Sequence, residues 1–250
     1  GSPQEGGVSV KTEGKVNIPC DLDNCNRYSA EAVILATNNT GGSTTDTWTN
    51  ENTTIGLLGS GTGNIAAFTA LNRTTVPVVA HITITPHFTN SFATCDGTLQ
   101  TFNITVNPTA QVNDPSNQVV CNNAATVPVI FTTINTVGVT TYNWTNSSSG
   151  IGLPASGLGD LPVFTAINPG TSPVVATITV TPHFDFGLVS CNGPSRNFTI
   201  TVNPTAQVNA PASQVVCNSS PSASVIFTTT NTGGTQSYSW GNSDPSIGLA

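Results

Sequence analysis

The sequence predicts an all-β chain of β-sandwich domains repeated in tandem every 96 residues. Three observations predict it. The first is self-similarity, which is the feature to seek before any other. "TVNPTAQVN" begins at Thr105 and again at Thr201, and "TPHF" at Thr85 and Thr181. Trp48, Trp144 and Trp240 keep the same 96-residue offset, as do Cys25, Cys121 and Cys217, and Cys95 and Cys191. The second is period-two alternation in β-branched residues. Val174, Ala176, Ile178 and Val180 fall on one face of a run whose other face is Val175, Thr177, Thr179 and Thr181. The third is composition: Thr, Val, Asn, Ser and Gly dominate, Met is absent, and helix formers are scarce.

The repeat frame sets the expected organisation. Residues 1–11 align with the last strand of a preceding repeat, because Gly7–Lys11 falls 96 residues before Asn103–Asn107. Two whole repeats follow at 12–107 and 108–203, and 204–250 is the first half of a third. This describes either a window of a longer array or a subunit completed by another chain. Within the second repeat, strands are expected around Val127–Phe131, Tyr142–Trp144, Leu161–Ile167, Pro173–Phe184 and Asn197–Val202. The breaks between them ("NTVG", "NSSSG", "ASGLGD", "NPGTSP", "CNGPS") carry turn chemistry. Six or seven short strands in under a hundred residues suggest an immunoglobulin-like sandwich, with one buried Trp per repeat on a mid-unit strand. Trp48, Trp144 and Trp240 are therefore core aromatics rather than sugar-stacking platforms. The joins are short and carry Pro108 and Pro204, whose fixed φ favours a defined angle between repeats.

Tyr142-Asn143-Trp144, Phe164 to Asn168, and Ile178 to Pro204 together resemble the PKD-like domains of Bacteroidota surface proteins. The resemblance covers nearly the whole chain. It implies tandem immunoglobulin/PKD-like sandwiches in a giant cell-surface adhesin exported by the type nine route. Where the better-known PKD pattern has an acidic "W-D-F-G-D-G" loop, this chain has "WTNSSSG", so no metal role carries over from those acids.

Each whole repeat holds two cysteines 70 residues apart, one before the second strand and one before the last. Those positions predict the pairs Cys25–Cys95 and Cys121–Cys191, each constraining the unfolded chain by roughly 4 kcal/mol on the entropic account. Cys20 lies off the repeat lattice, and the partner position of Cys217 would lie beyond residue 250. These two are either unpaired here or an intermolecular link between successive chains. Paired cysteines point to an oxidising, extracellular compartment. Sequons occur at Asn38, Asn52, Asn72, Asn103, Asn143, Asn146, Asn197 and Asn218, and are candidate glycosylation sites on a surface that otherwise carries little charge.

Only 7% of residues are charged, against about a quarter in an ordinary soluble domain. The five Lys and Arg side chains are scattered and make no nucleic-acid footprint. No apolar run reaches the length of a membrane helix, and Gly1–Gly14 has neither the basic start nor the apolar stretch of a secretory signal, which is expected to have been removed. The search for catalytic groups yields His81, His87 and His183, the last two repeat equivalents and so expected to be structural. "GSGTG" at Gly59–Gly63 lacks the following Lys of a phosphate loop and matches "ASGLG" one repeat on. Asp21 and Asp23 form the one acidic cluster, a weak calcium candidate with no counterparts in the other repeats.

The expected function is a non-enzymatic extracellular array, without cofactor, forming a stalk or adhesive filament at a bacterial cell surface. Its expected partners are neighbouring repeats, copies of itself in a fibre, or surface polysaccharide and substratum. One alternative is a filament subunit completed by strand addition from the next chain. The other is an accessory carbohydrate-binding module of a secreted enzyme.

Overall fold

A computed structural model describes residues 14, 16–17, 20–91 and 93–249. The strand expected within 1–11 lies outside the described residues. The described chain is all β apart from three 3-10 turns. By compactness it divides into two units: Gly1–Asn113 with Phe131–Asn143 and Thr181–Ser195, and Asp114–Ile130 with Trp144–Val180 and Arg196–Ala250.

The first sheet is built from β1 (Leu22–Cys25), β3 (Ser43–Asn50), β4 (Ser60–Thr62), β6 (Val78–Asn90), β7 (Ala93–Asp96) and β8 (Gln100–Asn107). Its order is β1-β8-β6-β3-β4, with β7 also on β6. β1 runs parallel to β8, and β6 pairs antiparallel with β3, β7 and β8. The long strand β6 shows why the sequence folds this way. Ala80, Ile82 and Ile84 alternate with His81, Thr83 and Thr85, and only the first set is fully buried. Ile104 and Val106 of β8 and Trp48 of β3 extend the same inner face. The opposing layer holds the two-residue strands β2 (Ser29–Ala30) and β5 (Phe68–Thr69) and a bridge between Val33 and Ile65. It contributes Val33, Ile55, Ile65 and Ala70 to the core. Each fully buried Ile contributes about 1.5–3 kcal/mol relative to exposure.

The second sheet comprises β9 (Gln118–Cys121), β10 (Val139–Asn146), β11 (Ser156–Leu158), β12 (Val174–Phe186), β13 (Val189–Asn192) and β14 (Arg196–Asn203). Its order is β11-β10-β12-β14-β9, with β13 on β12. Every one of these strands starts 96 residues after its counterpart in the first sheet. The strands expected at Val127–Phe131 and Leu161–Ile167 are reduced to bridges, Val129 to Leu161 and Ala125 to Thr165. Pro128 and Pro162 have no N–H to offer a longer ladder.

The repeated "IGL" triplet also has a physical account. Ile55 and Ile151 are buried at the end of a 3-10 turn that stops at Gly56 and Gly152, with φ of +91° and +94°. A side chain at either glycine would also strike the carbonyl of Thr69 or Thr165.

Two expectations are corrected. Trp48 and Trp144 are core residues, each 5% exposed, but Trp240 is 56% exposed. No strand forms among the described residues of 204–249. Residues 204–249 align with β9 and β10 and include no counterparts of β12 and β14, the strands that extend the sheet beside β10. The second correction concerns the cysteines. The one disulfide among the described residues joins Cys25 to Cys191, with Cα atoms 5.5 Å apart, and Cys95 and Cys121 are thiols. The pairs Cys25–Cys95 and Cys121–Cys191 fail for a reason of register. Cys25 pairs with Asn107 beside the Val78 end of β6, whereas Cys95 faces Phe88, ten residues along the same strand. At about 3.3 Å per residue that is roughly 33 Å. A disulfide tolerates a Cα separation of about 7 Å at most. Cys121 and Cys191 are kept apart along β12 in the same way.

Candidate functional site

A group of side-chain hydrogen bonds gathers at the end of β1 and the segments packed on it. Beyond the disulfide, the Asp23 carboxylate accepts the Leu188 N–H at 2.9 Å, and the Asn107 amide donates to the Phe186 carbonyl at 2.9 Å. The Asn26 amide donates to the Thr109 hydroxyl at 2.8 Å, while its oxygen accepts the Asn72 N–H at 2.8 Å. Asn135 is buried and accepts the Gln111 N–H at 2.9 Å while donating to the Thr109 carbonyl at 3.2 Å. Asn113 exchanges two bonds with Thr132, at 2.8 and 2.9 Å, and the Thr136 N–H reaches the Thr75 carbonyl at 3.1 Å. Ala110 and Val112 of the "NPTAQVN" join are buried among these groups. The join is therefore held by side-chain amides along its length.

The Asp21–Asp23 cluster is absorbed by the same fold. Asp21 accepts the Asn103 N–H at 2.8 Å and its amide at 3.2 Å. Asn117, one repeat on, accepts the Thr199 N–H at 2.8 Å, so an amide does the same work and the position does not need a charge. No group of three or more metal-capable side chains occurs among the described residues.

The histidines lie on the outer face of the sheets. His81 bonds Asn103 at 2.6 Å. His87 stands between Asp96, at 2.6 Å from Nδ1, and Thr47, at 2.9 Å from Nε2. This hydroxyl–imidazole–carboxylate row was invisible in the sequence, where the three residues are far apart. It has the order of a nucleophile, base and orienter. Its counterpart is Asn143–His183–Asn192, at 3.0 and 2.7 Å, with amides in place of the hydroxyl and carboxylate. The hydrogen-bonded row is kept and the nucleophile is not. The strand β3 that carries Thr47 lies between β4 and β6 in the sheet, which leaves its N–H groups in ladders instead of in an oxyanion pocket. The row braces adjacent strands.

The remaining sequence candidates are placed as follows. Cys20 and Cys217 are exposed thiols. Asn38, Asn143, Asn197 and Asn218 are exposed, and Asn52 and Asn103 are half-buried. Asn72 and Asn146 are buried, and their amide nitrogens are occupied as donors to backbone carbonyls. A glycan would need that nitrogen, so these two sequons are structural. The glycines of the "GSGTG" and "ASGLG" loops serve the tryptophans. A Cβ at Gly61 or Gly157 would collide with the indole of Trp48 or Trp144. No helix among the described residues is long and apolar enough to cross a membrane.

The chain matches no known family and no curated protein sequence. Among solved structures it is similar to three N-terminal domains of the bacteriophage RB49 highly immunogenic outer capsid protein, at 11% identity over 78% of this chain and 71% of that one, with a TM-score of 0.45. It is also similar to domains EC1-2 of human protocadherin-24, at 9% identity over 79% and 100% of the two chains, with a TM-score of 0.41. The I9-I11 tandem of titin matches at 12% identity over 78% and 68%, with a TM-score of 0.31. All three TM-scores fall below one half, and nothing those proteins bind is transferred to this chain.

Proposed function

We propose that this chain is a non-enzymatic structural segment of an extracellular repeat array, a stalk or adhesive filament of the bacterial cell-surface kind that its PKD-like sequence motifs suggest. The observation that carries the reading is the bond between Cys25 and Cys191, which lie 166 residues apart in successive sequence repeats. A cross-link of that reach belongs to an oxidising compartment and fixes one repeat to the next. The hydrogen-bonded join around Asn26, Asn135 and Asn113 supports the same role. Surface polysaccharide or substratum is the expected contact, made through many weak sites in a row. Exposed sequons at Asn38, Asn197 and Asn218 are open to glycans that would hydrate a surface so poor in charge, whereas the Asn143 amide nitrogen is held by His183.

The test is small-angle scattering and limited proteolysis of the purified chain, oxidised and reduced. A spacer is a monomer whose maximum dimension is well defined when oxidised, and whose join becomes protease-sensitive on reduction. Identical behaviour in both states overturns the reading, as does turnover of a glycan or peptide substrate that is lost on His87→Ala.

A second reading, a filament subunit completed by strands of a neighbouring chain, is favoured by one observation. Trp240 and Ile247 are 56% and 69% exposed where their counterparts in the first two repeats are buried. Sedimentation that finds concentration-dependent ordered polymers supports it, and a persistent monomer rejects it.

A further inference from the structure

The join described above is built a second time. Asn122 donates to the Thr205 hydroxyl at 3.0 Å, as Asn26 does to Thr109, and its oxygen accepts the Asn168 N–H at 2.7 Å. Asn231, buried like Asn135, accepts the Gln207 N–H at 2.8 Å and donates to the Thr205 carbonyl at 3.1 Å. The Asn209 N–H reaches the Thr228 carbonyl at 2.8 Å, and the Thr232 N–H reaches the Thr171 carbonyl at 2.8 Å. Each bond lies 96 residues after its counterpart in the first join. The cysteine that ends β9 also stands where Cys25 stands. Cys25 pairs with Asn107 in the parallel β1–β8 ladder, and Cys121 pairs with Asn203 in the parallel β9–β14 ladder. Among the described residues the second join has no counterpart of the hairpin that carries Cys191 to Cys25 in the first. Cys121 is an exposed thiol.

We propose that Cys121 is the half-site of a second inter-repeat disulfide, closed by the hairpin cysteine of a repeat that follows in register in the same chain. The position equivalent to Cys191 would fall 166 residues beyond Cys121, the separation already seen between Cys25 and Cys191. The proposal rests on the repeat-array reading and adds to it a covalent rung at every join. Formation needs a low-molecular-weight disulfide such as oxidised glutathione as oxidant. One cysteine thiolate attacks it and releases one glutathione thiolate. The second cysteine thiolate then attacks the mixed disulfide and releases the other. The two protein thiols lose two protons and two electrons, and the glutathione disulfide is reduced to two thiols. Cys217 is the wrong partner for the incoming hairpin, because it occupies the Cys121 position one repeat later.

The experiment extends the full chain. Ala250 is the counterpart of Pro154, so a copy of residues 155–203 appended after Ala250 completes the third repeat. The extended chain is refolded in a glutathione redox buffer, alkylated without reduction and mapped by peptide mass spectrometry. The expected map joins Cys25 to Cys191 and Cys121 to the appended copy of Cys191, with Cys20, Cys95 and Cys217 alkylated. Cys121→Ser in the extended chain should leave the appended cysteine alkylated and the Cys25–Cys191 bond in place, while Cys217→Ser changes nothing. Acrylamide quenching of Trp240 reports separately whether the third repeat has folded. A protected Trp240 with both Cys121 and the appended cysteine alkylated overturns the disulfide proposal and leaves the array reading standing. A Trp240 that stays quenchable overturns both. Cys121 found joined to Cys95 of another molecule, or to Cys217, also overturns the proposal.

Discussion

Replacing Asn72 with alanine separates two roles for the same residue, a glycan acceptor on the sequon pattern and a hydrogen-bonding peg in the fold. Its amide nitrogen donates to the Val76 and Val106 carbonyls, both at 2.7 Å, and its oxygen accepts the Thr74 N–H and hydroxyl, both at 2.8 Å. The Thr74 groups are close enough to the surface to find water once the amide is gone. The Val106 carbonyl is buried and loses a donor, a loss of about 1–3 kcal/mol for an acceptor left unpaired. The Val76 bond adds about 1 kcal/mol. The sum is about 3 kcal/mol. A chain of 150–250 residues shifts its Tm by about 2–4 °C per kcal/mol, so Asn72→Ala should melt roughly 6–12 °C below the parent. Urea unfolding followed by Trp fluorescence, with calorimetry beside it, measures both quantities. Asn38→Ala, at an exposed sequon, should fall within about 0.5 kcal/mol of the parent and serves as control. A loss below about 1 kcal/mol for Asn72→Ala would refute the peg role, as would a glycan mapped to Asn72 on the native protein.

Four further outcomes are expected. Cys25→Ser removes a cross-link spanning 166 residues, which on loop-entropy arithmetic lowers stability by about 5 kcal/mol in chemical denaturation, whereas Cys95→Ser leaves it unchanged. Gly157→Ala drives a methyl group into the Trp144 indole and should cost about 1–3 kcal/mol on the same urea curve. Trp240 should be the tryptophan that acrylamide quenches, and Trp240→Ala should be near neutral beside about 3–5 kcal/mol for Trp144→Ala. Burial raises the Asp46 carboxyl above its ordinary value, with His87 opposing the shift, so the native state holds that proton more tightly than the unfolded chain. Its favourable contribution is complete below the ordinary aspartate value, about pH 3.9, and is lost as pH rises through the raised value. Asp46→Asn should therefore raise Tm at pH 7 and converge on the parent in acid. A constant Tm difference across that range would contradict the assignment.

How much of this was legible in the sequence follows from the range of each signal. The alternation of Val174 to Val180 fixes strand β12 and its inner face, because a side chain's face depends only on its own position along the strand. The 96-residue offset carries every other strand across to the second sheet. The disulfide needs more than that. Cys25 and Cys95 look like neighbours on a topology diagram, yet the ladder registers set them at opposite ends of β6. Trp240 keeps the 96-residue offset of Trp48 and Trp144, but a tryptophan is buried by neighbouring elements and not by its own strand. Sequon spelling does not register that the Asn72 and Asn146 nitrogens are already committed to carbonyls. The Thr47–His87–Asp96 row depends on register too: Asp96 faces His87 directly, and Thr47 lies diagonally across from it. The "TPHF" repeat was the signal that could have raised it, and the amides at Asn143 and Asn192 explain why a search for catalytic residue types passes over it.

The parallel pairing of β1 with β8 couples residues 82 apart, Leu22 with Ile104, so the opening strand of the first sheet has no ladder partner until the closing one arrives. For a polypeptide that emerges from a ribosome or export pore with its N-terminus leading, the early strand waits. At synthesis rates of about 5–20 residues per second, the wait lasts roughly 4–16 s. Cys25 waits about twice as long for Cys191. During that interval a reactive thiol and an unpaired strand edge are both open to wrong partners, which makes a holding chaperone and a thiol-disulfide isomerase the factors on which the yield of native protein should depend most.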